Sequence, residues 1–224
     1  SFGINALQGY GLSECAPMGA LNPDQEPKSA SVGKAFPTCD AKIVDPDEDG
    51  IGEIWLHGGN VMMGYFNDPE ATAEAFTEDG WFRTGDLDEF DKDGYLYIKG
   101  RLKNMIVGPS GENIYPEDIE EVLNSNRFVA ESVVTEEDGK LIALVHFDTE
   151  AIEAKYSELV DNWHKKKHEF TLFKEDLMRE IKQYVNERVN RYSKVAEVVE
   201  EEQEFEKTAT KKIRRFLYTG KGKQ

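Results

Sequence analysis

The sequence predicts a fold of the mixed α+β or α/β class, in which a small β-rich part precedes a small α/β part. In the first part, short apolar segments alternate with turn residues at a spacing typical of short β-strands. Beyond Asn104 the composition changes, and apolar residues recur at the spacing of amphipathic helices. The 224 residues are enough for two domains of about 100 to 125 residues, each with its own core. We expect these domains to span residues 1–102 and 103–224.

The first domain is predicted to consist mainly of short strands. Four segments with β-type patterns are separated by turn residues such as Pro37, Asp49-Gly50 and Gly58-Gly59. Strands at this spacing form a small barrel or a twisted sheet. Asp68 and Pro69 are suited to begin a helix, because Asp caps a helix N-terminus and Pro fits the first turn. The predicted strands span residues 32–36, 41–44, 53–57 and 61–65, and the helix body spans 70–76.

A hairpin and a helix are predicted around the junction of the two domains. Residues 87–90 and 95–99 alternate apolar and polar side chains on either side of Asp91-Lys92-Asp93-Gly94, where Asp-Gly supplies the positive φ that a tight hairpin needs. A helix is predicted to begin at Pro116, which fits the first helical position. The two acidic residues that follow Pro116 suit the positive end of the helix dipole.

The second domain is predicted to combine a hairpin with two amphipathic helices. The hairpin joins residues 129–135 and 141–147 over Asp138-Gly139. A strand at 194–199 and a terminal helix at 211–217 complete the predicted elements. The apolar stripes of the two helices consist of Ile152, Tyr156, Leu159 and Trp163 in the first, and of Leu177, Ile181, Tyr184 and Val185 in the second.

Charge and cysteine content restrict the classes of partner and compartment. A net charge of −17 argues against nucleic acid as a partner, because cationic contacts to phosphate dominate that kind of binding. The field is reversed locally in residues 207–224, which contain seven Lys and Arg residues and no acidic residue. Cys15 and Cys39 do not make a disulfide framework, and there is no metal-type Cys/His spacing. This cysteine content indicates a reducing compartment, so we expect a cytoplasmic location. No apolar run approaches the roughly 20 residues that span a bilayer.

A glycine-rich stretch near the start has side chains suited to a nucleotide. In Tyr10-Gly11-Leu12-Ser13-Glu14, an aromatic ring lies between glycines, and a hydroxyl and a carboxylate follow. A ring in such a loop can stack on a base, a hydroxyl can donate to phosphate, and a carboxylate can hold Mg²⁺ against phosphate oxygens. The alternative is a glycine-rich loop that packs Tyr10 into a core.

Asp86 and Arg101 are a second candidate pair. Thr84-Gly85-Asp86 places a carboxylate at a turn that glycine permits, and Arg101 follows Gly100 one hairpin later. Taken singly, these residues are also typical of a surface ion pair, which contributes little net energy.

Several strings of the sequence, taken in order, resemble the motifs of one enzyme superfamily. WFRTGD (81–86), GYLYIKGRLKN (94–104) and GENIYPEDIEEV (111–122) are similar to motifs of the adenylate-forming superfamily. This superfamily includes acyl-CoA synthetases, the adenylation domains of peptide synthetases and firefly luciferase. The stretch from Tyr10 to Glu14 is similar to the superfamily's Tyr-Gly-x-Thr/Ser-Glu motif. The resemblance implies that 1–102 is the last portion of a large AMP-binding domain and that 103–224 is the mobile C-terminal α/β domain.

The resemblance also implies roles for the matching residues of the first domain. Tyr10 and Gly11 would lie at adenine, Ser13 at phosphate, and Glu14 at Mg²⁺. Asp86 and Arg101 would lie at the ribose and phosphate of the nucleotide.

For the second domain, the resemblance implies a catalytic lysine, a loop and a hinge. Residues 205–215 are similar to the family's closing Pro-Lys-Thr-x-x-Gly-Lys-Ile-x-Arg, in which the lysine before isoleucine reaches the acyl carboxylate and α-phosphate. That lysine is Lys212 here. Glu206 stands in place of the motif's proline and Lys211 in place of its glycine. The loop that contains Gly108 and Gly111 would line the approach of the thiol, and Lys103 would be the hinge.

The implied activity is a two-step, AMP-forming acid–thiol ligation. ATP, Mg²⁺ and CoA are the expected small molecules, and the long helical insert before the closing motif resembles long-chain acyl-CoA synthetases. The family's phosphate loop does not occur in the sequence, so we expect the chain to be an inactive fragment whose partner is the missing N-terminal part of the same enzyme. Peripheral membrane contact is expected only through a fatty acid substrate. An adenylation module of a peptide synthetase, or a non-catalytic nucleotide-binding or structural module, are the alternatives.

Overall fold

The structure, a computed structural model, describes residues 6–159 and 166–219. The chain divides into two compact units, Ser1–Asn104 and Met105–Gln224, and each unit has its own buried apolar cluster. The division expected from the sequence, 102/103, lies two residues before the boundary between the units. Helices combine with several small sheets, which confirms the mixed α/β class.

The first unit begins with a three-stranded antiparallel sheet. Its strands are β1 (Gly9–Gly11), β2 (Met18–Leu21) and β3 (Lys34–Ala35), hydrogen-bonded in that order. Immediately before β3, the chain approaches the second sheet of the unit, and Gly33 pairs with Leu96 there. Because its strands divide between two sheets, the unit is not one closed barrel.

A four-stranded antiparallel meander forms the larger sheet of the first unit. It contains β4 (Cys39–Val44), β5 (Gly52–Gly58), β6 (Phe82–Phe90) and β7 (Leu96–Arg101), in chain order. Alternate residues of β5 are buried, as the period of a half-buried strand requires. The β6–β7 hairpin confirms the pairing predicted across Asp91–Gly94, where Gly94 has φ +79°.

A helix connects β5 to β6, and one predicted strand before it is wrong. Helix α1 spans Pro69–Ala75, and the Asp68 side chain caps it by accepting a hydrogen bond from Ala71 N at 2.9 Å. Residues 61–65 do not form a strand. Their backbone donors are used elsewhere, since Met62 N donates to Glu14 O at 2.7 Å and Tyr65 N donates to Thr72 Oγ1 at 2.9 Å. These contacts replace the ladder that a strand would need.

The second unit opens with a short hairpin that leads into a helix. Strands β8 (Ile106–Val107) and β9 (Asn113–Ile114) pair around the Gly108–Gly111 loop. Helix α2 spans Pro116–Asn124 and begins at the proline, as predicted.

A mixed three-stranded sheet with two helices completes the core of the second unit. Strands β10 (Val129–Glu137) and β11 (Lys140–Phe147) form the predicted hairpin, whose turn residues Asp138 and Gly139 have φ +51° and +75°. Strand β12 (Glu197–Glu200) runs parallel to β11, so a crossover must join them. Helices α3 (Thr149–Leu159) and α4 (Lys166–Asn186) lie in that connection. The predicted stripe residue Trp163 lies outside the described residues.

The end of the chain differs from the predicted terminal helix. Within residues 211–217, the only helical turn is a short 3₁₀ segment, Arg215–Leu217. Lys211 has φ +61°, and Thr208 N donates to Lys212 O at 2.8 Å, so the backbone folds into a hairpin. In the described ranges, 6–159 and 166–219, no helix is both long enough and apolar enough to cross a membrane.

Candidate nucleotide site and catalytic hairpin

Strand β1 holds Tyr10 in the core of the first unit. The Tyr10 side chain is 8% exposed and packs with the apolar cluster of this unit, as in the core-packing alternative. Its ring lies against Gly19, where an added Cβ would be 3.2 Å from Tyr10 Cδ1. At Gly11, an added Cβ would lie 1.9 Å from the Pro17 carbonyl oxygen. Glycine at position 11 therefore permits the close approach of two backbone segments.

Asp86 lies at the centre of the candidate nucleotide site and is bound by two other candidates. Tyr10 Oη donates to Asp86 Oδ2 at 2.6 Å, and Arg101 Nε lies 2.6 Å from Asp86 Oδ1. Strand pairing places Asp86 directly opposite Arg101. Asp86 is 4% exposed, so the alternative of a surface ion pair is wrong. We call Tyr10, Asp86 and Arg101 the Asp86 centre.

The turn before Asp86 is held by hydrogen bonds to neighbouring strands. Gly85 has φ +69°, a conformation that glycine adopts without steric cost, and its N–H donates to Glu53 Oε1 at 2.9 Å. The Thr84 hydroxyl donates to Ile54 O at 2.7 Å and accepts from Asp86 N at 3.1 Å. These contacts fix the backbone on both sides of the Asp86 carboxylate.

Burial changes the protonation of two groups in or beside this centre. Burial raises the pKa of the Tyr10 hydroxyl well above its ordinary value, and the Asp86 carboxylate adds to that rise. The hydroxyl therefore keeps its proton and acts as a donor to Asp86. Burial also raises the pKa of Asp88, two residues along β6, from 3.8 to about 8, and Asp86 contributes to this rise. Among the described residues, no group donates to Asp88 Oδ2, which is buried.

Ser13 and Glu14 follow Tyr10 along the chain, in a 3₁₀ turn spanning Ser13–Cys15. The Ser13 side chain is exposed and Glu14 is half-buried. Tyr65 Oη donates to Glu14 Oε1 at 3.2 Å, which orients the carboxylate. One oriented carboxylate fits Mg²⁺, because this ion is usually held by one or two carboxylates together with substrate phosphates and water. No cluster of three or more His, Cys, Asp or Glu side chains suited to a metal occurs in the described part of the chain.

In the second unit, the Gly108–Gly111 loop folds around a carboxylate. Gly108 is buried, and a Cβ there would lie 2.3 Å from Glu112 Oε1. Ser110 N donates to Glu112 Oε2 at 3.1 Å, and Gly111 has φ +89°. Gly111 therefore has a conformational reason to be glycine, whereas the atoms close to Gly108 belong to the flexible Glu112 side chain. Lys103 belongs to the first unit, where it is exposed in a 3₁₀ turn, Leu102–Asn104, just before the boundary.

Lys212 lies on an exposed hairpin of the second unit. We call residues 205–218 the terminal hairpin. Lys207 pairs with Ile213, and Lys212 N donates to the Thr208 hydroxyl at 3.2 Å. Lys212 is exposed, and the residue before it has the left-handed conformation that favours glycine.

Known protein families and relatives match parts of the sequence. The family model for AMP-binding enzymes matches residues 1–66. The human long-chain-fatty-acid–CoA ligase ACSBG1 is 44% identical over 120 residues, which are 54% of this chain and 17% of that protein. Over these residues, the chain resembles the adenylate-forming, AMP-binding enzymes.

Solved structures resemble the chain over nearly its whole length. ATP-bound MatB from Rhodopseudomonas palustris gives a TM-score of 0.71 at 25% identity, over 96% of this chain and 40% of that one. The o-succinylbenzoate CoA synthetase of Bacillus subtilis, solved with its acyl-adenylate intermediate, gives 0.73 at 29% identity, over 95% and 40%. The chain thus spans well under half the length of the proteins it resembles.

The structure brings together some of the predicted site residues and adds others. Tyr10, Asp86 and Arg101 are in direct contact. The sequence analysis assigned no role to Asp88 or Glu120, and it did not foresee that Glu120 pairs with Arg215, the last residue of the closing motif. The signal for Glu120 was its place beside Ile119 at the inner face of α2, where an acidic residue must find a partner.

Proposed function

We propose that the full-length protein containing this chain is an ATP-dependent, AMP-forming acyl-CoA synthetase whose substrate is a long-chain fatty acid. In the first step, the carboxylate attacks the α-phosphate of ATP, and pyrophosphate leaves. In the second step, the CoA thiol attacks the acyl carbon, and AMP leaves. The observation that carries the proposal is the Asp86 centre, because three residues from separate family motifs meet there at hydrogen-bond distance.

We assign nucleotide binding to the first unit. A carboxylate oxygen has two lone pairs, so Asp86 can accept ribose hydroxyls while it remains bound to Tyr10 and Arg101. Arg101 keeps its guanidinium directed at Asp86 and offers further N–H donors to phosphate. Tyr10 and Gly11 are assigned to the adenine side of the site, and Ser13 to phosphate. Glu14 would hold Mg²⁺, whose charge stabilises the negative charge that develops on the phosphates.

We assign the adenylation step to Lys212. Its position in the closing motif depends on the match of Lys211 to the motif's glycine. Lys211 has φ +61°, the conformation for which glycine is normally selected, and this supports the alignment. An exposed ammonium on a hairpin can reach the negative charge that develops in the transition state. Electrostatic stabilisation of such charge is usually the largest single contribution to the rate enhancement.

We assign the thioester step to a rotation of the second unit about Lys103. Hinge motions are absorbed by a few loop or element-terminal residues, and Lys103 lies in a short exposed turn at the end of the first unit. The Gly108–Gly111 loop then lines the path of the thiol.

Two observations support the substrate class and the location. The human relative that matches 54% of this chain is named a long-chain-fatty-acid–CoA ligase, and we transfer that substrate class to this chain. Both cysteines, Cys15 and Cys39, are free, in keeping with a cytoplasmic protein that contacts membranes only through its fatty acid.

The proposal is tested with the full-length protein in two separate assays. ATP–pyrophosphate exchange with a panel of acids measures the first step, and conversion of supplied acyl-adenylate to acyl-CoA measures the second. We expect exchange to depend on long-chain acids and the isolated 224-residue chain to show none. Lys103→Pro, which restricts φ, should leave exchange measurable and block thioester formation, whereas Lys92→Pro in an exposed turn of the first unit serves as control. Exchange that does not depend on any acid would refute the proposal.

A further inference from the structure

The terminal hairpin is attached to the rest of the second unit by different residues on its two arms. On the first arm, Phe205 is buried against Val133, Ile142 and Leu144, and Lys207 Nζ lies 2.8 Å from Glu131 Oε1. The second arm, which carries Lys212, packs only partly buried apolar side chains against the same cluster. Its charged attachment is Arg215.

Arg215 reaches a carboxylate that is itself fixed on both oxygens. The Arg215 guanidinium donates to Glu120 Oε2 and lies 3.7 Å from Glu117 Oε1. Glu120 is 6% exposed, and its Oε1 accepts a hydrogen bond from Val134 N at 2.6 Å. The contact therefore joins the second arm to α2 and β10 together.

Because Glu120 is buried, its carboxylate needs the Arg215 guanidinium as a partner. Burial raises the pKa of Glu120 to about 7, although the Arg215 charge opposes that rise. A buried carboxylate with one partner removed is strongly unfavourable, so Glu120 holds Arg215 in one place. Because Lys212 and Arg215 are three residues apart on a hydrogen-bonded hairpin, fixing the guanidinium also fixes the backbone from which the Lys212 side chain extends.

We propose that Arg215, anchored by Glu120, is a positioning residue that sets the direction in which the terminal hairpin presents the Lys212 amine for adenylation. This inference rests on the proposed function and assigns a role to a pair of residues in it. Displacement of a reacting group by about 1 Å can lower a rate by about 100-fold. Neither Arg215 nor Glu120 touches the reacting atoms in this assignment.

A neighbouring arginine provides the matched control. The Arg214 side chain is 47% exposed, and its closest carboxylate oxygen, Glu206 Oε2, lies 4.0 Å away. Arg214→Met and Arg215→Met remove the same charge from adjacent positions of one hairpin, but only the second removes the contact with Glu120.

The experiment measures both half-reactions in the full-length protein. We expect Arg215→Met to lower kcat for acid-dependent pyrophosphate exchange at least about tenfold, with KM for ATP changed less than about twofold. Conversion of supplied acyl-adenylate to acyl-CoA should stay within about twofold of wild type, and Arg214→Met should match wild type in both assays. Adding Glu120→Gln to Arg215→Met should cause no further loss, because both changes break one contact.

Other outcomes separate this inference from the proposed function. If Arg215→Met equals Arg214→Met, or if it lowers both half-reactions equally, the positioning role is wrong. If neither Lys211→Ala nor Lys212→Ala lowers exchange, the proposed function has failed instead. Should Arg215→Met not fold, Arg215→Lys decides, because it keeps the charge while losing the guanidinium geometry. A smaller loss confined to exchange supports the inference, and a loss in neither or both half-reactions overturns it.

Discussion

The Asp86 centre and the terminal hairpin place charged candidate residues in opposite environments. Asp86 is 4% exposed, and each carboxylate oxygen contacts a partner on another strand of the first unit. Lys212 is exposed, and the contacts that hold its hairpin are made by other residues, such as Phe205 and Arg215.

The difference shows that a buried charged residue has a desolvation cost that its partners must offset, whereas an exposed one has almost none. A buried charge must be compensated by fixed partners, so the Asp86 centre is assembled before any ligand arrives, and its residues also stabilise the unit. An exposed lysine keeps its hydration, so its position depends on the backbone beneath it. Substitutions should therefore change stability and activity together at Asp86, but activity alone at Lys212.

The largest expected effect is on stability at the Asp86 centre. Asp86→Ala should lower the free energy of unfolding of the chain by about 3 kcal/mol, because it leaves the buried Tyr10 hydroxyl without an acceptor and removes the ion pair with the partly exposed Arg101. Glu89→Ala breaks an ion pair between the same two strands, with Lys99 at 2.9 Å and both side chains partly exposed, and should cost less than about 1 kcal/mol. Urea unfolding followed by tryptophan fluorescence measures both. Equal losses would mean that the Asp86 centre is no more than a surface pair.

At the exposed Lys212, we expect a substitution to change activity but not stability. In the full-length protein, Lys212→Ala should lower the rate of acid-dependent pyrophosphate exchange by about 100- to 1000-fold, since it removes a charge from the developing transition state. Its free energy of unfolding should stay within about 0.5 kcal/mol of wild type. Lys211→Ala is the control and should keep most of the exchange activity. If the two alanine variants exchanged their behaviour, the catalytic lysine would be Lys211.

The pH dependence of stability examines the buried carboxyl beside the Asp86 centre. Asp88 has its pKa raised to about 8 in the folded chain, so the folded state holds this proton more tightly than the unfolded state. Its contribution to the unfolding free energy is therefore full below about pH 4 and is lost as the pH rises to about 8, at no more than about 1.4 kcal/mol per pH unit. Asp88→Asn should remove that slope. Unfolding curves between pH 4 and pH 9 for both proteins check it, and parallel profiles would contradict the assignment.

The smallest expected effect concerns the backbone of the terminal hairpin. Lys211→Gly should raise the free energy of unfolding by about 1 kcal/mol, because an L-residue at φ +61° has a steric cost that glycine avoids. Lys194→Gly, at an exposed position of the same unit with no positive φ, should instead lower stability by up to about 1 kcal/mol. Chemical denaturation compares them. Destabilisation by both glycines would exclude the left-handed conformation at Lys211.

The sequence predicted well those helix ends and turns that depend on interactions between residues close together in the chain. Asp68 caps α1, α2 begins at Pro116, and Asp138-Gly139 turns between β10 and β11. In each case, the deciding interaction lies within a few residues of the chain, so the sequence pattern contains it. The candidate residues of the Asp86 centre came from family motifs, which fix identity and order but not contact.

Tertiary contacts decided what the local pattern could not. Residues 61–65 have a strand-like pattern, but Met62 N donates to Glu14 O and Tyr65 N donates to the Thr72 hydroxyl. Residues 211–217 have a helical pattern, but pairing of Lys207 with Ile213 turns them into a hairpin. The burial of Asp86, Asp88 and Glu120 depends on strands and helices that are distant in sequence. A residue's type sets the cost of burying it, and only the assembled fold supplies the partner that offsets this cost.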